Sequence, residues 1–72
     1  MSKKLKWMNM TYWKNHDPTP GYMRFTTKKE AAHTAAMAVM VLETSNKRTF
    51  LFDGTPVTFA DLIRIEQVQT EN

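Results

Sequence analysis

The sequence predicts a small α+β domain, in which a small antiparallel sheet of three to five strands packs on one α-helix in the order β-β-α-β-β. An alanine-rich run over residues 28–44 has the composition of a helix. Segments rich in aromatic and β-branched residues lie before and after it and favour strands. An Asp-Gly pair at residues 53–54 stands between two apolar runs, as in a hairpin. One helix on one face of an antiparallel sheet satisfies all three observations.

The first predicted strand covers residues 4–14, which are rich in Trp, Tyr, Met and Thr. Its apolar side chains do not keep to one face, because Trp7 and Trp13 share one parity while Tyr12 has the other. A bulge near Asn9 would switch the faces, and partial cover of both faces is the other explanation.

Residues 16–21 read HDPTPG, and two prolines with a glycine predict a loop. Residues 22–25 then predict a second, short strand. We expect the two strands to pair as a hairpin across this loop.

The helix has a clear predicted start. Thr27 and Glu30 have the spacing of a capping box, in which the Thr27 hydroxyl accepts from the Glu30 amide and the Glu30 carboxylate accepts from the Thr27 amide. The second half of the helix, residues 37–42, is apolar on every side and predicts burial on more than one side. Asn46 is the expected left-handed terminator, with Lys47 and Arg48 near the negative end of the helix.

The C-terminal third predicts a hairpin and a last strand. Residues 49–52 and 57–59 flank the Asp-Gly pair, which favours a type I′ turn, and Pro56 belongs at a sheet edge. The remaining predicted elements are a brief helical turn at residues 58–61, a strand at residues 62–68 whose spacing also suits a short helix, and a frayed tail at residues 70–72.

These elements predict a core drawn from the helix and from both groups of strands. Its expected members are Leu5, Trp7, Phe25, Ala32, Ala35, Ala36, Val39, Met40, Leu42, Phe50, Phe52, Val57, Phe59, Leu62, Ile63 and Ile65.

Length and composition bound the class of protein. Seventy-two residues form one domain, residues 1–72, and the chain has no cysteine, which fits a reducing, cytoplasmic location. The longest uncharged apolar stretch, residues 31–42, is too short to span a bilayer. The basic start lacks the apolar region of a secretory signal, so we expect no membrane partner.

The sequence offers little for catalysis. The chain has two histidines and two glycines, and neither His16 nor His33 has a partner at the spacing of a catalytic triad. No phosphate-binding glycine loop and no metal-ligand spacing is present. We therefore expect no enzymatic activity, cofactor, metal or small-molecule substrate.

The first functional hypothesis is a non-enzymatic interaction domain, an accessory or regulatory protein that binds another protein or itself, for example as a homodimer. A chain of 72 residues with 42% hydrophobic residues and six methionines buries little surface alone, and methionine is adaptable at binding surfaces. In its size, lack of cysteine and basic start, the chain resembles small accessory proteins of phages, prophages and plasmids. No motif accompanies that resemblance, so it implies no residue roles.

The alternative hypothesis is a single-stranded RNA- or DNA-binding protein that uses a basic, aromatic N-terminal hairpin. Residues 1–29 carry seven lysines and arginines against one acid, a net charge of +6, and the rest of the chain carries −3. Both tryptophans and both tyrosines lie in the same segment. Lysine and arginine neutralise phosphates, and flat rings stack on bases. The rings expected to stack are Trp7, Tyr12, Trp13 and Tyr22, and the cations expected to meet phosphates are Lys4, Lys6, Lys14, Arg24, Lys28 and Lys29.

Overall fold

The computed structural model describes residues 5–45 and 49–71, except for the side chain of Ser45, and confirms the α+β prediction. Three strands form an antiparallel sheet in the order β2-β1-β5, and β3 and β4 form a separate two-stranded sheet. The elements in chain order are β1 (Leu5–Trp13), β2 (His16–Pro20), α1 (Lys28–Ser45), β3 (Thr49–Phe50), β4 (Pro56–Val57), a 3₁₀ turn (Phe59–Asp61) and β5 (Leu62–Glu71).

The central strand β1 keeps a regular register with β5 from Leu5 opposite Glu71 to Tyr12 opposite Arg64. The bulge predicted near Asn9 is therefore wrong. The irregularity comes at the next step, where Trp13 pairs with residue 62 and residue 63 is the extra one. Because Trp7 and Tyr12 are both half-buried on opposite faces, the second explanation, partial cover of both faces, is the one observed.

The segment predicted as a loop at residues 16–21 is largely strand β2. Asn15 adopts a left-handed conformation, with φ of 57°, in a two-residue turn that closes the hairpin directly after β1. Strand β2 tolerates Pro18 and Pro20 because it is an edge strand and its register with β1 shifts. The short strand predicted at residues 22–25 is reduced to a bridge in which Phe25 and Trp7 exchange backbone hydrogen bonds of 2.8 and 2.9 Å.

The helix α1 is confirmed, with its cap. The Glu30 amide donates to the Thr27 hydroxyl at 3.2 Å, and the Glu30 carboxylate accepts from that hydroxyl at 3.0 Å in place of the predicted amide. The predicted terminator and its two neighbouring cations, residues 46–48, lie outside the described residues.

The helix packs on β1 and β5 through small side chains. Ala31 and Ala35 are buried, and the Asn9 side-chain amide donates to the Ala31 carbonyl at 3.0 Å. This bond places α1 on the face of the sheet that carries Asn9. The opposite flank of the helix, with Met37 and Met40, is exposed, so the predicted burial on more than one side is wrong. A narrow sheet covers one flank of a helix and leaves the other uncovered.

The second hairpin is confirmed, but its turn type differs from the prediction. Gly54 has φ of 87°, whereas Asp53 does not have positive φ, so the turn is not type I′. The Gly54 amide donates to the Leu51 carbonyl at 2.9 Å, and the Leu51 amide donates to the Thr55 carbonyl at 2.9 Å. These bonds define a three-residue loop that ends on a left-handed glycine.

The predicted helical turn is confirmed and is a 3₁₀ turn at Phe59–Asp61, and the predicted last strand is also confirmed, whereas the frayed tail is wrong. Thr70 and Glu71 belong to β5 and pair with β1, and Asn72 lies outside the described residues. Strand β5 is therefore ten residues long.

The core is smaller than predicted. Among the described residues, the buried hydrophobic residues are Met8, Ala31, Ala35 and Val57. The prediction is right for Ala35 and Val57 and missed Met8 and Ala31. Seven predicted core residues are half-buried, namely Trp7, Phe25, Ala32, Val39, Leu42, Leu62 and Ile65. Seven others are exposed, namely Leu5, Ala36, Met40, Phe50, Phe52, Phe59 and Ile63. A chain of this length cannot enclose them all.

Candidate interaction surfaces

The residues predicted to bind nucleic acid are divided between the two faces of the sheet. Side chains alternate along β1, so Trp7 and Trp13 lie on the face covered by α1, whereas Lys6 and Tyr12 lie on the other face. Lys4 lies outside the described residues.

Each predicted stacking ring has its own neighbours. The ammonium of Lys28 lies 5.8 Å from the centre of the half-buried Trp7 ring. The Trp13 indole N–H donates to the Thr19 hydroxyl at 2.9 Å. These contacts anchor both indoles to neighbouring elements and leave only part of each ring facing solvent.

The tyrosines lie in two further environments. The guanidinium carbon of Arg64 lies 4.0 Å from the centre of the Tyr12 ring, a cation–π contact. Tyr22 is 80% exposed, and its ring centre lies 6.5 Å from that of Phe52. The four rings therefore do not form one stacking platform.

The predicted phosphate-binding cations are also dispersed. Lys14 is exposed in the turn after β1, and Lys29 is exposed in the first turn of α1. The Arg24 guanidinium donates to the carbonyls of Gly21 at 2.8 Å and Met23 at 3.3 Å, which holds it against its own loop. Tyr22 and Arg24 line the same groove, but the structure does not gather the nine described members of the predicted set on one surface.

An apolar stripe runs along the outer flank of α1, formed by Met37, Met40 and Val41. The three residues follow the 3–4 spacing of one helix face and are all more than half exposed. The helix carries no charged residue between Glu30 and Glu43. We call this surface the helix stripe.

A second apolar surface, the aromatic patch, consists of Tyr22, Phe50 and Phe52. The Phe52 side chain is 94% exposed at the tip of the second hairpin. A shallow groove beside it is lined by Thr19, Pro20, Gly21, Tyr22, Leu51 and Phe52. The sequence missed this surface because a phenylalanine at a hairpin tip has the same local pattern as one in a core.

One ion pair holds the aromatic patch against the sheet. The His16 imidazole lies 2.8 Å from the Asp53 carboxylate through Nε2, and its Nδ1 lies 2.7 Å from the Asp17 carbonyl. Because both ring nitrogens face acceptors, the doubly protonated imidazolium is favoured, and the hydrogen bond to Asp53 raises the pKa of His16 above its ordinary value of 6.5. The bonds from His16 and Thr55 lower the pKa of the Asp53 carboxyl.

Other kinds of site have no geometric support in the described part of the chain. Within residues 5–45 and 49–71, no group of three or more His, Asp or Glu side chains could hold a metal ion. No helix in those ranges is long and apolar enough to cross a membrane.

Comparisons with known proteins assign no family. No protein-family model matches the chain, and no curated protein and no solved structure matches it either.

Proposed function

We propose that this protein is a non-enzymatic interaction domain that buries its exposed apolar surface against another protein or a second copy of itself. One observation carries the proposal. Among the described residues, four hydrophobic residues are buried, whereas ten large hydrophobic side chains are exposed. Contiguous exposed apolar patches on a small domain mark interaction sites, and methionine and aromatic residues are enriched there. The cysteine-free chain supports placing this function in the cytoplasm.

The size of the domain supports the same proposal. A standard protein interface buries about 800 Å² on each partner. That area is roughly a seventh of the 5589 Å² of accessible surface on this chain. An interface of standard size would therefore occupy a substantial share of this chain's surface, and a small domain gains a large fraction of its buried surface by forming one.

The helix stripe gives a direct test. Met37→Lys and Met40→Lys together place two charges in the stripe. Ala38→Lys is the control, because Ala38 is exposed at the border of the stripe, about 100° around the helix from Met37 and about 160° from Met40. We expect the double substitution to weaken association with the protein's partner or with its own copy, and Ala38→Lys to leave it unchanged. Circular dichroism of each variant checks that the helix is retained.

Sedimentation velocity across a wide concentration range measures self-binding. Native pull-down from the cells that encode the protein, repeated with the double variant, measures binding to other proteins. The proposal is wrong if the chain is monomeric at every concentration and no captured protein is lost on substituting the stripe.

One observation favours a second candidate, single-stranded nucleic-acid binding. Tyr22 is exposed next to Arg24, which supplies a ring and a cation on one loop. Titration of intrinsic tryptophan fluorescence with oligonucleotides at two salt concentrations tests it. Quenching that weakens with salt supports phosphate contacts, and no quenching at low salt removes this candidate.

A further inference from the structure

We propose that two copies of the chain join through the outer edge of β5, with antiparallel strands related by a two-fold axis at Ile65. In this arrangement Arg64 of each copy faces Glu66 of the other. The inference goes beyond the proposed function, because it adds the β5 edge to the helix stripe and the aromatic patch as a surface for binding a second copy. It rests on three features of the described sheet, namely its edges, its pleat and the side chains around Tyr12.

The two edges of the sheet differ in their protection. The β2 edge is five residues long, contains two prolines and has a register shift against β1, and all three features discourage pairing with another strand. The β5 edge is ten residues long and contains no proline. In the part of the chain that the structure describes, β5 pairs with β1 alone. A long edge strand of this kind presents unpaired backbone groups to another chain.

The pleat restricts how β5 can pair with itself. Side chains directly opposite each other in an antiparallel pair lie on the same face of the sheet. A two-fold axis perpendicular to the sheet therefore pairs only residues of equal parity in the regular part of the strand. Within that part, residues 64–71, Arg64 is the only basic residue, and Glu66 shares its parity whereas Glu71 does not.

These constraints leave one register with opposite charges facing each other. When Ile65 lies on the axis, Arg64 faces Glu66 of the second copy twice, by symmetry. When Glu66 lies on the axis, two carboxylates oppose each other, which is unfavourable. The bulge at Ile63 interrupts the regular strand, so we expect the regular pairing around the axis to cover residues 64–66 of each copy.

The side chains needed for this pairing are already oriented on one face. The Arg64 guanidinium carbon lies 4.0 Å from the Tyr12 ring centre, and the Tyr12 hydroxyl donates to the Glu66 carboxylate at 3.5 Å. Within one chain, the Arg64 Nε and Glu66 Oε2 atoms are 3.9 Å apart, and the two side chains are 56% and 48% exposed. This pair is long and solvated, so both groups retain capacity for a partner from another chain.

Charge reversal tests the register. The full-length chain and the variants Arg64→Glu, Glu66→Arg and the double variant are compared by sedimentation velocity. We expect each single substitution to weaken the dimer about tenfold or more, because two like-charged pairs replace two opposite-charged pairs. The double substitution should restore association. An equimolar mixture of the two single variants should also associate, because every facing pair is then of opposite charge.

A matched control separates this register from a general effect of charge. Glu71→Arg makes the same change in charge as Glu66→Arg, but on the opposite face and outside the paired segment. It should leave association unchanged. A Glu71→Arg variant that weakens the dimer as much as Glu66→Arg overturns the proposed register.

Cross-linking gives an independent readout, because the chain has no cysteine. Directly opposed residues in an antiparallel pair have Cα atoms about 4.5–5.5 Å apart, within the range for a disulfide. Ile65→Cys should therefore oxidise to a covalent dimer. Gln69→Cys should not, because its two copies would be displaced by about 27 Å along the strands.

The outcomes distinguish this inference from the proposed function. A chain that is monomeric at every concentration removes the β5 dimer but leaves binding to a different protein open to the helix-stripe test. A native dimer that is unchanged by Arg64→Glu and Glu66→Arg, and that does not cross-link through Ile65→Cys, overturns the β5 pairing while supporting self-association through another surface.

Discussion

The Asn9 side chain connects three elements of the fold, and its replacement tests the packing of helix on sheet. Its amide nitrogen donates to the Ala31 carbonyl in α1 at 3.0 Å. Its oxygen accepts from the Gln67 side-chain amide in β5 at 3.0 Å. Asn9→Asp has nearly the same shape and keeps an acceptor for Gln67. It removes the donor and places a carboxylate oxygen against the Ala31 carbonyl.

The expected loss of stability follows from this geometry. Leaving a partly buried acceptor without its donor destabilises by about 1–3 kcal/mol, and the half-burial of Asn9 favours the middle of that range, about 2 kcal/mol. A domain of this size has a total stability of roughly 4–11 kcal/mol. Because 1 kcal/mol shifts the melting temperature of a 60–100-residue domain by about 4–8 °C, we expect Asn9→Asp to lower Tm by about 8–16 °C.

Thermal and urea unfolding followed by circular dichroism at neutral pH measure the effect. Gln69→Glu is the control, because it makes the same amide-to-acid change at an exposed position of β5. The deficit of Asn9→Asp should shrink in acid, where the introduced carboxyl is protonated and regains a donor. If Asn9→Asp is as stable as Gln69→Glu at neutral pH, the side chain does not hold the helix on the sheet.

Four further predictions concern local contacts. Asp53→Asn should lower the pKa of His16, measured by NMR titration, because the hydrogen bond to the Asp53 carboxylate is the main cause of the raised pKa of His16. Because the pKa of His16 is raised, its stabilisation of the fold is complete below pH 6.5 and is lost as the pH rises through the folded pKa. Because the pKa of Asp53 is lowered, its stabilisation is complete above its ordinary pKa of 3.8 and is lost as the pH falls through the folded pKa. Protection of the hairpin in hydrogen exchange should therefore be greatest between these limits and decline on either side. Thr27→Ala should destabilise by about 1 kcal/mol in urea unfolding, through loss of the helix cap, while Thr27→Ser should not. Gly21→Ala should lower Tm because the added methyl would lie 3.1 Å from the Asn9 carbonyl oxygen, and an unchanged Tm would show that the loop moves freely away.

The candidate surfaces were only partly predictable from sequence. The N-terminal aromatic and basic residues stand out in the composition, but alternation along β1 separates Trp7 from Tyr12. The charge-free run in α1 was visible in the sequence, but it was interpreted as a buried segment. An apolar helix face has the same sequence pattern whether it packs against its own core or is exposed to meet another chain. The ion pair between His16 and Asp53 joins residues 37 apart in sequence, and no local pattern could place them together.

The features that depend on neighbouring residues could be predicted from the sequence alone. The helix start follows from Thr27 and Glu30, the second hairpin from the Asp-Gly pair, and the last strand from its β-branched residues. These elements arise from backbone preferences and bonds within a few residues, so their signals are local.

The choice of which apolar side chains are buried depends on the tertiary fold. Residues 16–20 became a strand because β1 supplied a partner across a two-residue turn, despite two prolines. Met8 became buried, while Phe52, in an equally apolar context, projects into solvent. The physical reason is that burial depends on what lies opposite a side chain in space, and one helix on a three-stranded sheet provides too little surface to cover every hydrophobic residue of this chain.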